Sequence, residues 1–153
     1  LVIADLTSSI GMPGFKLKSE DFDFAVCSFG KHKPLEVGYG GMLASHTGLE
    51  DNIFTMFRFP EFLLERLEEA LEVLSKRWEF YSTVRQRLVR ELLKRFEIIH
   101  PESRGINILL KGLDAVDYCK EQRLPYLLCP KYHRVKKKAV SIEIKRLGPE
   151  TFK

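Results

Sequence analysis

Cysteine is scarce in this chain: 153 residues contain three, Cys27, Cys119 and Cys129, each inside an apolar run. An odd count without metal-like pairing excludes the disulfide framework of a small secreted domain, and the expectation is reduced, buried thiols in a cytoplasmic protein. Long hydrophobic runs are missing as well. No apolar stretch approaches the roughly 18 residues a membrane span requires, and no signal peptide precedes the first apolar run, so no membrane association is expected. The four histidines, His32, His46, His100 and His133, are too scattered to suggest a metal site. Only two Gln and two Asn accompany 30% charged residues, a bias that resembles heat-adapted proteins. Neither sign of charge dominates: 25 Lys and Arg face 21 Asp and Glu, for a net charge of +4. That mild charge neither implies nor excludes a nucleic-acid partner; none is expected, and a basic nucleic-acid module using Arg134 to Lys138 ranks last among the alternatives.

What is present is enough for one globular domain or a piece of a larger one, with 44% hydrophobic residues and no internal repeat. Leu1-Val2-Ile3-Ala4-Asp5 reads as a buried strand ending in a carboxylate. A turn-rich segment follows, then a second apolar run, Phe24 to Phe29, and a third short one, Met42 to Ser45. From Pro60 the apolar spacing changes to three and four: Leu64, Leu67, Leu71, Leu74, Trp78, Tyr81, Val84, Leu88, Leu92 and Phe96. About 36 helical residues would span roughly 54 Å, longer than a small domain is wide, so a kink is expected, with Ser82-Thr83 as its site. Short strands at Glu97 to His100 and Gly105 to Leu110, a helix at Leu113 to Gln122, and strands at Tyr126 to Cys129 and Ala139 to Ile144 complete the pattern. The basic cluster Arg134, Lys136, Lys137 and Lys138 reads as the solvated turn before the last strand.

The segment from Ser28 to Gly41, Ser-Phe-Gly-Lys-His-Lys-Pro-Leu-Glu-Val-Gly-Tyr-Gly-Gly, sets one lysine between a hydroxyl and a glycine cluster. A lysine amine can form a Schiff base with an aldehyde, a serine hydroxyl can bond a phosphate, and glycines let backbone pass close to a bound ring. In open α/β sheets ligands collect at the carboxyl ends of strands, where Asp5 and Ser28 would lie. Ser28-Phe29, then Lys33, then Gly38, Gly40 and Gly41 resemble the cofactor-lysine signature of the DegT/DnrJ/EryC1/StrS aminotransferases. Val2-Ile3-Ala4-Asp5-Leu6-Thr7-Ser8 is similar to the strand that precedes the lysine in that family, and Met56 to Glu61 lies over its Asn-Tyr-Arg-Met-Ser-Glu pattern.

That resemblance implies a partial large-domain sheet of the fold type I pyridoxal-phosphate transferases (residues 1–59), a long bridging helix (60–96) and a small α/β C-terminal domain (97–153). It implies pyridoxal 5'-phosphate as cofactor, with Lys33 as tether and acid/base, Asp5 on the pyridine nitrogen, Ser28 on the phosphate, and Ser8 where the family usually has a glutamine. It also implies a homodimer or association with a missing N-terminal portion, a keto-sugar nucleotide as acceptor, and a separate amino donor. Met56 stands where the family has an asparagine, and the upstream part of the large domain is absent. The alternative is a catalytically lapsed relative that acts as an assembly or regulatory partner.

Overall fold

The computed structural model describes residues 1–46, 58–130 and 135–148. It is a mixed α/β chain with two sheets, and it separates into two compact units, Leu1–Trp78 and Glu79–Lys153.

In the first unit, β1 (Ile3–Asp5) runs parallel to β2 (Phe24–Ser28), and β2 pairs antiparallel with β3 (Gly41–Ser45). The alternation in β2 explains its place: Ala25 and Cys27 are buried and their neighbours half-buried, as expected where one face of a strand meets a core. That core gathers Cys27, Phe29, Leu35, Val37, Leu63 and Ala70, so the loop after β2, with Phe29, Leu35 and Val37, supplies more of it than the strand, which gives Cys27. Expectation and structure part company at β1. Leu1, Val2 and Ile3 are exposed rather than buried, because β1 is an edge strand with β2 as its one neighbour among the described residues.

The helical stretch starts with a 3₁₀ turn, Glu61–Leu63, and continues as α1 (Leu64–Glu72) and α2 (Leu74–Leu92). The expected kink at Ser82-Thr83 does not occur; both residues lie inside α2. The interruption falls instead at Val73, whose ψ of −2° departs from helical geometry. A β-branched residue is among the weaker helix formers, and here it sits between two leucine-rich turns.

The second unit is built on an antiparallel sheet in the order β4-β5-β7-β6, from Ile98–Ile99, Asn107–Lys111, Ala139–Glu143 and Tyr126–Cys129, with α3 (Ala115–Glu121) between β5 and β6. On α2, Tyr81, Val84, Leu88 and Leu92 are buried at the predicted helical spacing. Every residue of β7 is buried, including two polar ones. Ser141 accepts a hydrogen bond from Asn107 Nδ2 at 2.9 Å. Glu143 is ion-paired with Lys145 at 3.0 Å and Arg146 at 2.6 Å, although the Arg146 contact lies outside hydrogen-bond directions at Oε2. The buried Arg85 guanidinium donates to the carbonyls of Asn107 (2.6 Å), Gly105 (3.2 Å) and His100 (3.4 Å), which satisfies a cation that burial would otherwise penalise.

Candidate functional site

The carboxyl ends of the parallel pair β1 and β2 carry the residues of interest. After Asp5 the chain turns, with the Thr7 N–H donating to Asp5 Oδ1 at 2.9 Å. The Thr7 hydroxyl oxygen accepts the Ser28 N–H at 3.0 Å, and so ties the turn after β1 to the last residue of β2. Ser28 Oγ in turn accepts the Gly30 N–H at 3.2 Å and starts the lysine loop. Asp5, Thr7 and Ser28 thus form one hydrogen-bonded corner.

The loop closes on Phe29. Its carbonyl accepts the N–H groups of Val37 (2.9 Å) and Gly38 (2.8 Å), and its N–H donates to the Gly40 carbonyl at 2.9 Å. Pro34 and Leu35 are fully buried and anchor the loop to the core. Arg77, in the first turn of α2, donates to the Pro34 carbonyl at 2.9 Å and the Lys33 carbonyl at 3.4 Å. The backbone that carries Lys33 is therefore held at both faces, by core packing and by a guanidinium. His32, just before it, has φ of 60°, a conformation uncommon for a non-glycine residue and one that concentrates at functional turns. Lys33 is half-buried, whereas Lys31 is exposed.

The charges of this corner meet at Cys27. Its thiol is pushed above its ordinary range, first by burial and second by the nearby Asp5 carboxylate, while Lys33 pulls in the opposite direction. Both the carboxylate and the amine therefore act on one buried sulfur at the end of β2. A thiol whose pKa is raised in this way is a poorer nucleophile.

Of the residues selected from sequence, Asp5 and Ser28 are linked through Thr7, and Lys33 lies on the loop that follows Ser28. Asp5 and Ser8 are both exposed, Ser8 on the turn that follows β1. Met56 lies outside the described residues, and Arg58 is exposed. Thr7 and Arg77 are additions. Thr7 was signalled by the Asp-x-Thr spacing of an Asx turn; Arg77 is 44 residues from Lys33, and no local pattern announces it. Among the described residues no group of three or more His, Cys, Asp or Glu could hold a metal ion.

The glycines have a backbone explanation of their own. Gly38 has φ of +93°, and a Cβ at Gly41 would collide with the Cys27 carbonyl oxygen across the β2–β3 pair. Residues 71–153 match the MJ1341 family C-terminal domain, which is more than half of the chain. The chain belongs to the MJ1341 family. No curated protein and no solved structure matches it. This corrects the resemblance to the DegT/DnrJ/EryC1/StrS aminotransferases, since the small C-terminal domain implied for that family (97–153) falls inside the MJ1341 match. The physical reason is visible in the loop. Gly38 serves a left-handed turn and Gly41 a close strand approach, so these glycines follow from local chain geometry and carry little family information. For this MJ1341-family chain, no helix among the described residues is long and apolar enough to cross a membrane.

Proposed function

We propose that the MJ1341-family chain uses Lys33 as an amine that captures an anionic aldehyde or ketone, and that pyridoxal 5'-phosphate is the group the corner fits best. The reading rests on these residues and not on family membership. The observation that carries it is the hydrogen-bonded link from Asp5 through Thr7 to Ser28, at the carboxyl ends of two parallel strands and at the start of the loop that holds Lys33.

The fit is chemical. Lys33 would face the carbonyl carbon, Asp5 the protonated ring nitrogen, and Ser28 the phosphate. Ser28 Oγ already accepts a hydrogen bond from Gly30, so its own proton is available to donate to an anion. Asp5 is fixed by the Thr7 N–H and is a preset acceptor. When bound, the cofactor supplies an electron-withdrawing ring; the protein supplies position, charge and an amine that accepts and returns a proton. Arg77 and the buried Pro34-Leu35 pair keep that amine's backbone from shifting.

The reaction class is amino-group transfer from an amino donor to a carbonyl acceptor, in a cytoplasmic protein whose three described thiols are buried and unpaired. The first unit would correspond to part of a cofactor-binding sheet that is completed by another chain or another segment. One observation favours a second reading, an assembly or regulatory partner without catalysis. Leu1, Ile3, Met42 and Leu43 leave apolar side chains exposed on both outer strands of the first sheet. A lone monomer in native mass measurements would remove that reading.

The test of the first is direct. Incubation with pyridoxal 5'-phosphate, borohydride reduction and peptide mapping should place the label on Lys33, leave Lys31 largely unmodified, and lose the site in Lys33→Ala. Equal labelling of Lys31 and Lys33 would overturn it.

A further inference from the structure

The second unit carries a groove that the lysine chemistry does not use. It has a volume of about 600 Å³ and lies where β4 and β5 meet the segment that leads into β7. Its apolar lining includes Ile99, Leu109 and Val135, and its cationic lining comprises Lys111, Lys136 and Lys137 with His100 beside them. A volume of this size falls within the few hundred to roughly 1,000 Å³ typical of small-ligand sites.

The charge balance of the groove is uneven. Its one carboxylate, Glu97, is engaged by Lys111 Nζ through both oxygens, at 2.9 and 2.8 Å. No ion pair holds Lys136 or Lys137 among the described residues, and both are exposed. The residues that follow them are held: the Lys138 carbonyl accepts the Gly112 N–H at 3.0 Å, and Ala139 pairs with Lys111, which ties the start of β7 to the end of β5. Two ammonium groups that no ion pair holds among the described residues thus stand beside an apolar floor.

We propose that this groove binds a small organic polyphosphate: the lysines take the phosphates, and Ile99, Leu109 and Val135 take the apolar or planar body. Nucleic acid is the less suitable occupant. Among the described residues no Phe, Tyr or Trp side chain lines the groove, so the stacking platform that single strands use is reduced to His100. The inference is independent of the Lys33 reading, because every lining residue belongs to the second unit.

Calorimetry on the full chain at low salt, with ATP, inorganic tripolyphosphate and adenosine as separate probes, tests it. ATP should bind at one site per chain, tripolyphosphate more weakly, and adenosine weakest. The double substitution Lys136→Gln/Lys137→Gln should weaken ATP binding about tenfold or more, through loss of charge-assisted contacts. Leu109→Ala should weaken ATP but not tripolyphosphate. Glu97→Gln should strengthen both, since it removes the groove's carboxylate, and a gain of affinity cannot arise from misfolding. The proposal is overturned if ATP shows no saturable binding, if the lysine and Glu97 variants leave its affinity unchanged, or if a ten-nucleotide single strand binds far more tightly than ATP with a steep salt dependence.

Discussion

Strands β3 and β7 are each five residues long and similarly apolar, yet four residues of β3 are exposed and none of β7 is. Position accounts for the difference. β7 lies between β5 and β6, whereas β3 has β2 alone beside it among the described residues. The central strand is covered so completely that it must hold a serine and a glutamate internally: Asn107 bonds Ser141, and Lys145 and Arg146 offset the Glu143 charge as ion pairs, although Oε2 is left without a hydrogen bond. The edge strand needs no such partners. The same contrast separates the two units: the MJ1341-family unit closes its own core, while the first leaves its sheet edges open and gathers Asp5, Ser28 and Lys33 at one end of that sheet.

Truncation at matched positions would break this comparison most sharply. Ile142, fully buried in β7, should cost about 2–5 kcal/mol on replacement by alanine, whereas Leu43→Ala in β3 should stay within roughly 0.5 kcal/mol. Urea unfolding of the two variants measures both. A Leu43→Ala cost as large as that of Ile142→Ala would mean that β3 is covered in solution by something beyond the described residues.

Next in size is Arg85→Met, about 2–3 kcal/mol. The substitution keeps the bulk of the side chain but removes the donors to the carbonyls of Gly105, Asn107 and His100. Arg85→Lys should recover only part of the loss, because one ammonium cannot reproduce a planar fork that reaches three acceptors. Full recovery in the lysine variant would show that charge, and not the bonding pattern, matters there.

Much of the second unit was legible in the sequence. The order strand, strand, helix, strand, strand follows from apolar runs and their turns, and the buried stripe on α2 follows from its spacing. What was not legible has particular causes. Leu1 to Ile3 reads as a buried strand because composition reports hydrophobicity and not neighbours, and β1 lacks a second neighbour. The helix break fell at Val73 and not at Ser82-Thr83, because hydroxyl side chains are tolerated inside a helix whose apolar stripe continues past them. In the candidate site, Lys33, Ser28, Asp5 and Ser8 were selected from order along the chain, and that order does not report that Asp5 and Ser8 are both exposed. Arg77 could not be found that way, since its contact with the loop is made in three dimensions. The family assignment failed for a related reason: a glycine pattern that tight turns and close strand approach already require was read as a signature of descent.

The alkaline limb of stability separates the two units again. Burial pushes the Cys119 thiol from about 9 to about 11. Below pH 9 the thiol is protonated in both states and contributes no pH dependence. Between pH 9 and 11 the unfolded chain releases the proton while the folded chain keeps it, so stability should fall with rising pH by about 3 kcal/mol before the contribution levels off. Cys119→Ala should flatten that part of the profile relative to the parent, measured as unfolding midpoints from pH 8 to 11. Cys27 titrates in the same direction, but Lys33 opposes its shift, so Cys27→Ala should change the limb less. An equal effect from the two variants would remove the distinction between a sealed core thiol and one beside the open site.

The smallest effect expected in stability is also the one that most sharpens the functional reading. Arg77→Gln removes a guanidinium that donates to the carbonyls of Lys33 and Pro34, at a cost of about 1 kcal/mol. Global unfolding would barely register it. The amides of Val37 and Gly38, which close the loop on the Phe29 carbonyl, should exchange faster with solvent, while amides in β5 and β7 keep their protection. If Lys33 is a positioned amine, its reductive labelling by pyridoxal 5'-phosphate should fall toward the level of the exposed Lys31 in the same variant. A merely structural arginine would loosen the two amides and leave the ratio of Lys33 to Lys31 labelling where it was, so the two measurements together separate a loop that is held from a loop that is held in order to present Lys33.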